Sequence, residues 1–201
     1  MWKHLIIDDF LSKEHFDYCV NTFDTTLEDP AVLNKSIRKE KKKAVTHTYI
    51  FKNGNMQQES NFIGNILSDK FSEQILLDIH NTYTPKLLEI LKELAPEKLK
   101  YYDRSALIFT LSPKDSKYGK HTDNPDKLLS TVIYLKPENN TGTILYEHKE
   151  DKNPQVVEWK PNRALIFSRT DETWHAYRGD GINDRYVLVY NLLSKEKIGY
   201  I

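Results

Sequence analysis

The sequence predicts a mainly β fold with N-terminal helices, an α+β arrangement in which a β-sandwich or barrel is backed by helices. Two observations carry this. After Pro96 the chain breaks into eight short β-like runs, with turn residues about every ten positions. Before Pro96, apolar residues recur at helical spacing. No internal repeat, low-complexity tract or linker divides the chain, so one domain over residues 1–201 is expected. Residues 1–98 would be helical support and flap, and 99–195 the β core that carries the site.

Leu5-Ile6-Ile7 reads as a short strand. Ser12 then offers an N-cap, with Glu14 in the first turn where the helix dipole favours it. Phe16, Cys19, Val20 and Phe23 form the apolar stripe of that helix. From Asp24 to Lys43 periodicity fails, and the segment ends in a charge run, Arg38 to Lys43. It reads as a solvated loop or as a flap that closes over a pocket. Ala44 to Phe51 is rich in β-branched and aromatic residues and reads as a strand, with a turn at Lys52 to Asn55. Helical spacing returns at Glu59 to Leu67 and Phe71 to Leu94. Thr84-Pro85 should kink the second helix or start a new one, and Pro96 should stop it. The eight strands follow. The first four are Arg104 to Leu111, Tyr118 to Asp123, Leu128 to Leu135 and Thr143 to Glu147. The others are Gln155 to Trp159, Ala164 to Ser168, Trp174 to Arg178 and Arg185 to Leu193.

Composition excludes several function classes. Lys plus Arg equals Asp plus Glu at 29 each, which gives no global pull toward nucleic acid or an acidic membrane. No run of 18 apolar residues exists, so no transmembrane helix is expected. Asp8 and Asp9 follow the first apolar run too closely for a signal peptide. Cys19 is the only cysteine and reads as a buried structural thiol; a reducing cytoplasm is the expected location. The reading assigns no membrane contact, no nucleic acid and no oligomeric state.

His121 and Asp123 are two apart, and on a strand residues i and i+2 share a face. One imidazole and one carboxylate can thus reach one cation from a single strand. A third ligand must come from another strand, and His175 is the candidate. In an eight-stranded double sheet the second and seventh strands can be neighbours. Two histidines and a carboxylate leave open metal positions, as in non-heme Fe(II) oxygenases. His4, His15, His47, His80 and His148 lack such partners and read as structural or surface residues. Arg185 starts an apolar strand and shares a face with Val187 and Val189, where an unpaired charge is costly. Its partner would be a protein acid or a ligand carboxylate, which a guanidinium grips with two prongs.

Tyr118-x-x-His121-x-Asp123, then His175, then Arg185 resembles the Fe(II)/2-oxoglutarate-dependent dioxygenases, and within them the prolyl 4-hydroxylase-like branch. The match runs from about Ala106 to Leu193, and the opening from Ile6 to Phe16 is similar to the start of many such domains. The resemblance implies a double-stranded β-helix (jelly-roll, cupin-like) with helices packed on one sheet. It implies His121, Asp123 and His175 as iron ligands and as the catalytic centre. Arg185 would pair with the distal carboxylate of 2-oxoglutarate, and Tyr134 would add a hydroxyl there; Tyr118 is placed with the cofactor. Trp174, Asn124 and Lys127 lie close enough in sequence to rim the metal and are the candidates for substrate contact. The implied reaction is oxygen-dependent hydroxylation of a small-molecule or peptide substrate, releasing succinate and CO2, with ascorbate as a candidate addition.

The chain departs from the family at Leu111, where prolyl hydroxylases commonly carry a tyrosine, and at Thr141-Gly142-Thr143, where a double glycine is usual. Both suggest a substrate other than a long prolyl peptide. Arg185 replaces the common lysine. Asp123 argues against a halogenase. Two rivals stay open: a non-catalytic metal-binding jelly-roll interaction protein, and a nucleic-acid demethylase of the same superfamily. Arg185 and Tyr134 argue against the first and the balanced charge against the second.

Overall fold

The computed structural model describes residues 1–26, 45–57 and 70–198. Residues 27–43 of the expected flap and the helix expected over Glu59 to Leu67 lie outside the described residues.

Strand β1 (Leu5–Ile7) leads into helix α1 (Lys13–Thr26), which runs slightly past the expected break at Asp24. Ser12 caps it: its Oγ accepts from the His15 N–H at 3.2 Å and its carbonyl from Phe16 at 2.9 Å. Cys19 and Phe23 are fully buried, and burial pushes the Cys19 thiol up to about 12, so it remains an inert core group. Next come β2 (Val45–Lys52) and β3 (Asn55–Gln57), joined through Asn53 and Gly54. Helix α2 (Glu73–Leu94) continues through Pro85 as one helix. A proline there supplies no N–H to the preceding turn. Next to it, Thr84 Oγ1 bonds His80 Nδ1 at 2.9 Å and the Tyr190 hydroxyl at 2.5 Å, tying the helix to the sheet. A short 3-10 helix (Pro96–Tyr101) follows.

The β core is β4 (Tyr102–Ser112), β5 (Lys117–His121), β6 (Lys127–Lys136), β7 (Ile144–Leu145), β8 (Gln155–Val156), β9 (Ala164–Ser168), β10 (His175–Arg178) and β11 (Arg185–Ser194). Among the described residues the strands form two sheets. The larger has the order β1-β9-β6-β11-β4-β2-β3, and the smaller β5-β10-β7-β8, with every pairing antiparallel. From β4 on, the chain changes sheet at every step except from β7 to β8, in jelly-roll fashion. β1 extends the large sheet at one end, and β2 with β3 at the other.

Strand parity divides the large sheet into two faces. Leu107, Phe109, Ile133, Leu188 and Tyr190 pack against α1 and α2 in one core. The opposite residues, Tyr134, Leu165, Phe167 and Val187, meet Leu145 and Val157 in a second core between the sheets. The large-sheet strands that carry Tyr134 and Arg185 are thus covered on both faces.

Gly142 sits at a close approach between chains of the smaller sheet. A Cβ there would lie 1.7 Å from the Val157 carbonyl oxygen. Gly142→Ala is expected to cost about 1–3 kcal/mol, the range for overpacking. Urea unfolding measures this; an unchanged midpoint would show that the segment can move aside.

Candidate metal and anion site

β5 and β10 are antiparallel neighbours, with His175 directly opposite His121. The two rings lie 4.3 Å apart at 51°. Asp123 stands two residues beyond the end of β5, outside the ladder. One ligand atom from each of His121, Asp123 and His175 lies within 4.8 Å of the others. Among the described residues this is the one His/Cys/Asp/Glu cluster of that kind.

Local hydrogen bonds suit these groups to a metal. His121 Nδ1 faces the Gly119 carbonyl at 2.8 Å, and His175 Nδ1 the Thr173 carbonyl at 2.9 Å. A carbonyl only accepts, so each Nδ1 carries the proton and each neutral ring keeps its lone pair on Nε2. Burial lowers the pKa of His175, against an upward pull from Asp123, and so favours the neutral ring. Burial alone would raise the Asp123 carboxyl. Lys127 and His175, with hydrogen bonds from Lys127 and Ser130, outweigh it and hold the group at about 2. Lys127 Nζ lies 2.8 Å from Oδ1, and Ser130 Oγ donates to Oδ2 at 2.5 Å.

These groups open onto a cavity of about 300 Å³ between the sheets. Val132, Val187 and Val189 supply its apolar wall, Thr46, Thr110 and Ser112 its hydroxyls, and Thr143, Tyr177 and Arg185 a third side. Arg185, Val187 and Val189 share the cavity face, as parity predicts, while Leu188 and Tyr190 join the helix-side core.

Arg185 is 6% exposed. Nη2 donates to Thr143 Oγ1 at 3.2 Å, and Nε has no hydrogen-bond partner among the described residues. The guanidinium lies over the Tyr177 ring at 4.1 Å. Burial pushes its pKa below the ordinary arginine value. Among the described residues no carboxylate forms an ion pair with it; the adjacent Asp184 turns away to accept the Lys114 N–H at 2.9 Å. A buried guanidinium with an idle donor on a cavity wall has the chemistry to receive a carboxylate.

The other candidate residues are placed as follows. The Tyr134 hydroxyl donates to Thr143 Oγ1 at 3.1 Å and accepts from the Thr143 N–H at 2.9 Å. Tyr134 thus joins Arg185 through Thr143, and its ring stacks on Trp159. Tyr118 and Lys127 line the cavity; Trp174 and Asn124 are not among the residues that line it. Lys149 lies over the half-buried Trp174 ring at 5.5 Å, and Asn124 is exposed. Leu111 packs in the helix-side core, so the wall positions on β4 are Thr110 and Ser112. That orientation removes Leu111 from any argument about substrate. Sequence reasoning did not single out Thr143, Ser130 or Tyr177. Ser130 was within reach, because it shares parity with Val132 and Tyr134.

Residues 107–192 match the model of the 2OG-Fe(II) oxygenase superfamily. No curated protein matches the chain. Among solved structures the chain is similar to a prolyl 4-hydroxylase of Pseudomonas putida, with 15% identity, 96% of this chain and 94% of that one covered, and a TM-score of 0.62. It is similar to the dioxygenase for auxin oxidation 1 of Arabidopsis thaliana in its 2-oxoglutarate complex, with 10% identity, coverage of 97% and 84%, and a TM-score of 0.67. A prolyl hydroxylase of Trichoplax adhaerens, in complex with a hypoxia-inducible-factor peptide, gives 14% identity, coverage of 96% and 84%, and a TM-score of 0.60. Residues 107–192 therefore carry the superfamily's sequence pattern, and the chain shares the fold of these solved structures.

Proposed function

We propose that this chain, a 2OG-Fe(II) oxygenase by sequence pattern and fold, is an Fe(II)- and 2-oxoglutarate-dependent dioxygenase that hydroxylates a small-molecule or peptide substrate. His121, Asp123 and His175 would hold the iron, and Arg185, Thr143 and Tyr134 the distal carboxylate of 2-oxoglutarate. The chain would form one dioxygenase domain, with the described part of 1–98 as support and 99–195 as the catalytic jelly roll. The observation that carries the reading is Arg185: a buried guanidinium without a carboxylate partner among the described residues, on the same cavity as the His-Asp-His cluster. A metal-binding interaction module has no use for that charge.

When bound, iron and 2-oxoglutarate supply the oxidising chemistry, one oxygen atom entering substrate as a hydroxyl while succinate and CO2 leave. The chain's own residues supply the geometry. Asp123 is held ionised and burial favours the neutral ring of His175, the forms in which these groups bind a divalent metal. Val132, Val187 and Val189 keep the space beside the metal apolar and limit water there. Tyr118 and Lys127 stand on the cavity as contacts for cofactor and substrate, and Trp174 and Asn124 are the further substrate candidates.

The test is an anaerobic titration with Fe(II) and 2-oxoglutarate, followed in air by succinate release over a panel of peptides and small metabolites. Stoichiometric iron, saturable 2-oxoglutarate and substrate-stimulated succinate are expected. Iron binding without any 2-oxoglutarate binding would favour the interaction module instead.

A further inference from the structure

We propose that Arg169 is a positioning residue for the metal site, and that the loop 169–173 sets the spacing of two ligands. The proposal rests on reading His121, Asp123 and His175 as metal ligands. β5 ends at His121, so no strand ladder fixes Asp123. Its carbonyl oxygen instead accepts a hydrogen bond from Arg169 Nε at 3.0 Å. Arg169 directly follows β9, is 5% exposed, and pairs through Nη2 with Asp171 at 2.9 Å. Its backbone is pinned as well: the buried Lys98 ammonium donates to the Arg169 carbonyl and to Ser168 Oγ.

The other end of the same loop reaches the second ligand. Thr173 Oγ1 accepts from the Thr170 N–H at 3.1 Å and donates to the Thr170 carbonyl at 2.9 Å, closing the turn. The Thr173 carbonyl then accepts from His175 Nδ1. One short loop thus holds the backbone of Asp123 at one end and the ring of His175 at the other. His121 is already fixed opposite His175 by the β5–β10 pairing. With Arg169 in place all three donors have defined positions before any metal arrives. Without it, Asp123 keeps, among the described residues, the side-chain bonds to Lys127 and Ser130. Groups that orient metal ligands in this way are typically worth about 10- to 100-fold in metal affinity.

The experiment measures Fe(II) and Co(II) affinity anaerobically, with the visible Co(II) spectrum at saturation. Arg169→Gln is expected to lower affinity about 10- to 100-fold and to alter the saturated spectrum. Arg169→Lys keeps the charge and a terminal donor, and should recover part of the loss. Asp171→Asn removes the charge that pairs with Nη2 but leaves Nε on the carbonyl, so a smaller loss is expected. A purely structural arginine would lower the melting temperature but leave the affinity and spectrum of folded protein unaltered. That result in Arg169→Gln overturns the proposal. If Arg169→Gln does not fold, Asp171→Asn decides, and unchanged affinity there overturns it equally. Failure of the unaltered protein to bind either metal would sink the ligand reading and this proposal with it, an outcome distinct from normal binding that ignores Arg169.

Discussion

Replacing Asp123 with alanine is expected to remove most of the bound iron while leaving the fold in place. Three effects add. The variant loses the one anionic donor of the cluster. It also strands Lys127, which lies 2.8 Å from the carboxylate and would then face the two imidazoles with nothing to neutralise it. A divalent ion entering the site would meet that ammonium directly, a repulsion of several kcal/mol at short range even at an effective dielectric constant of about 20. The upward pull of Asp123 on His175 disappears too, but burial already favours the neutral ring, so that change does not offset the others. We expect a loss well beyond the ~100-fold typical of an orienting partner. The fold should survive because residue 123 lies outside the ladder and the bond from Arg169 goes to its backbone carbonyl. Anaerobic calorimetry with Fe(II), alongside circular dichroism, measures both halves of the expectation. Unaltered iron affinity in folded Asp123→Ala would remove this residue from the ligand set.

Much of this site was legible in the sequence because it depends on parity. Period-two alternation placed Arg185, Val187 and Val189 on one face and Leu188 with Tyr190 on the other, and the cavity and the helix-side core divide them in that way. Eight runs in chain order allow the second and seventh to be neighbours, and His175 does stand opposite His121. What parity cannot report is which groups from distant strands meet. Thr143 looked like any residue after a glycine, yet it accepts from both Arg185 and Tyr134. Arg169 looked like a polar residue ending a strand, and its partner is a carbonyl 46 positions away. Asp123 read as strand because His-x-Asp suits one; the ladder stops at His121, and side-chain bonds replace it. Pro85 read as a kink or a break, but bonds from Thr84 to His80 and Tyr190 accompany one continuous helix. The short β3 gave no periodic signal, because three residues are too few to show one.

Arg185→Met should abolish most 2-oxoglutarate affinity and leave iron binding unchanged. The guanidinium is not among the clustered metal donors, so the ion has no reason to notice its loss. The co-substrate does. In the free protein Arg185 carries its charge in a buried site with one hydrogen bond to Thr143, an idle Nε and the face of Tyr177. A carboxylate arriving there would meet a desolvated, prepositioned cation. Truncating one partner of such a buried charge pair costs roughly 2–5 kcal/mol, which is about 30- to 5,000-fold in affinity. Methionine keeps the apolar stem and removes the charge. The ligand-free variant should therefore be as stable as the unaltered protein or more so, because a buried unpaired charge has gone. The stability gained on adding 2-oxoglutarate separates the cases. At a hundredfold excess over its dissociation constant the unaltered iron-loaded protein should gain about 2.7 kcal/mol, and the variant at the same concentration little of it. Thermal melts in the absence of oxygen, with and without 2-oxoglutarate, measure this directly. Equal stabilisation of both proteins would refute the anchor. Loss of iron and of fold together would mark Arg185 as a structural residue whose charge is met by some other group of the chain.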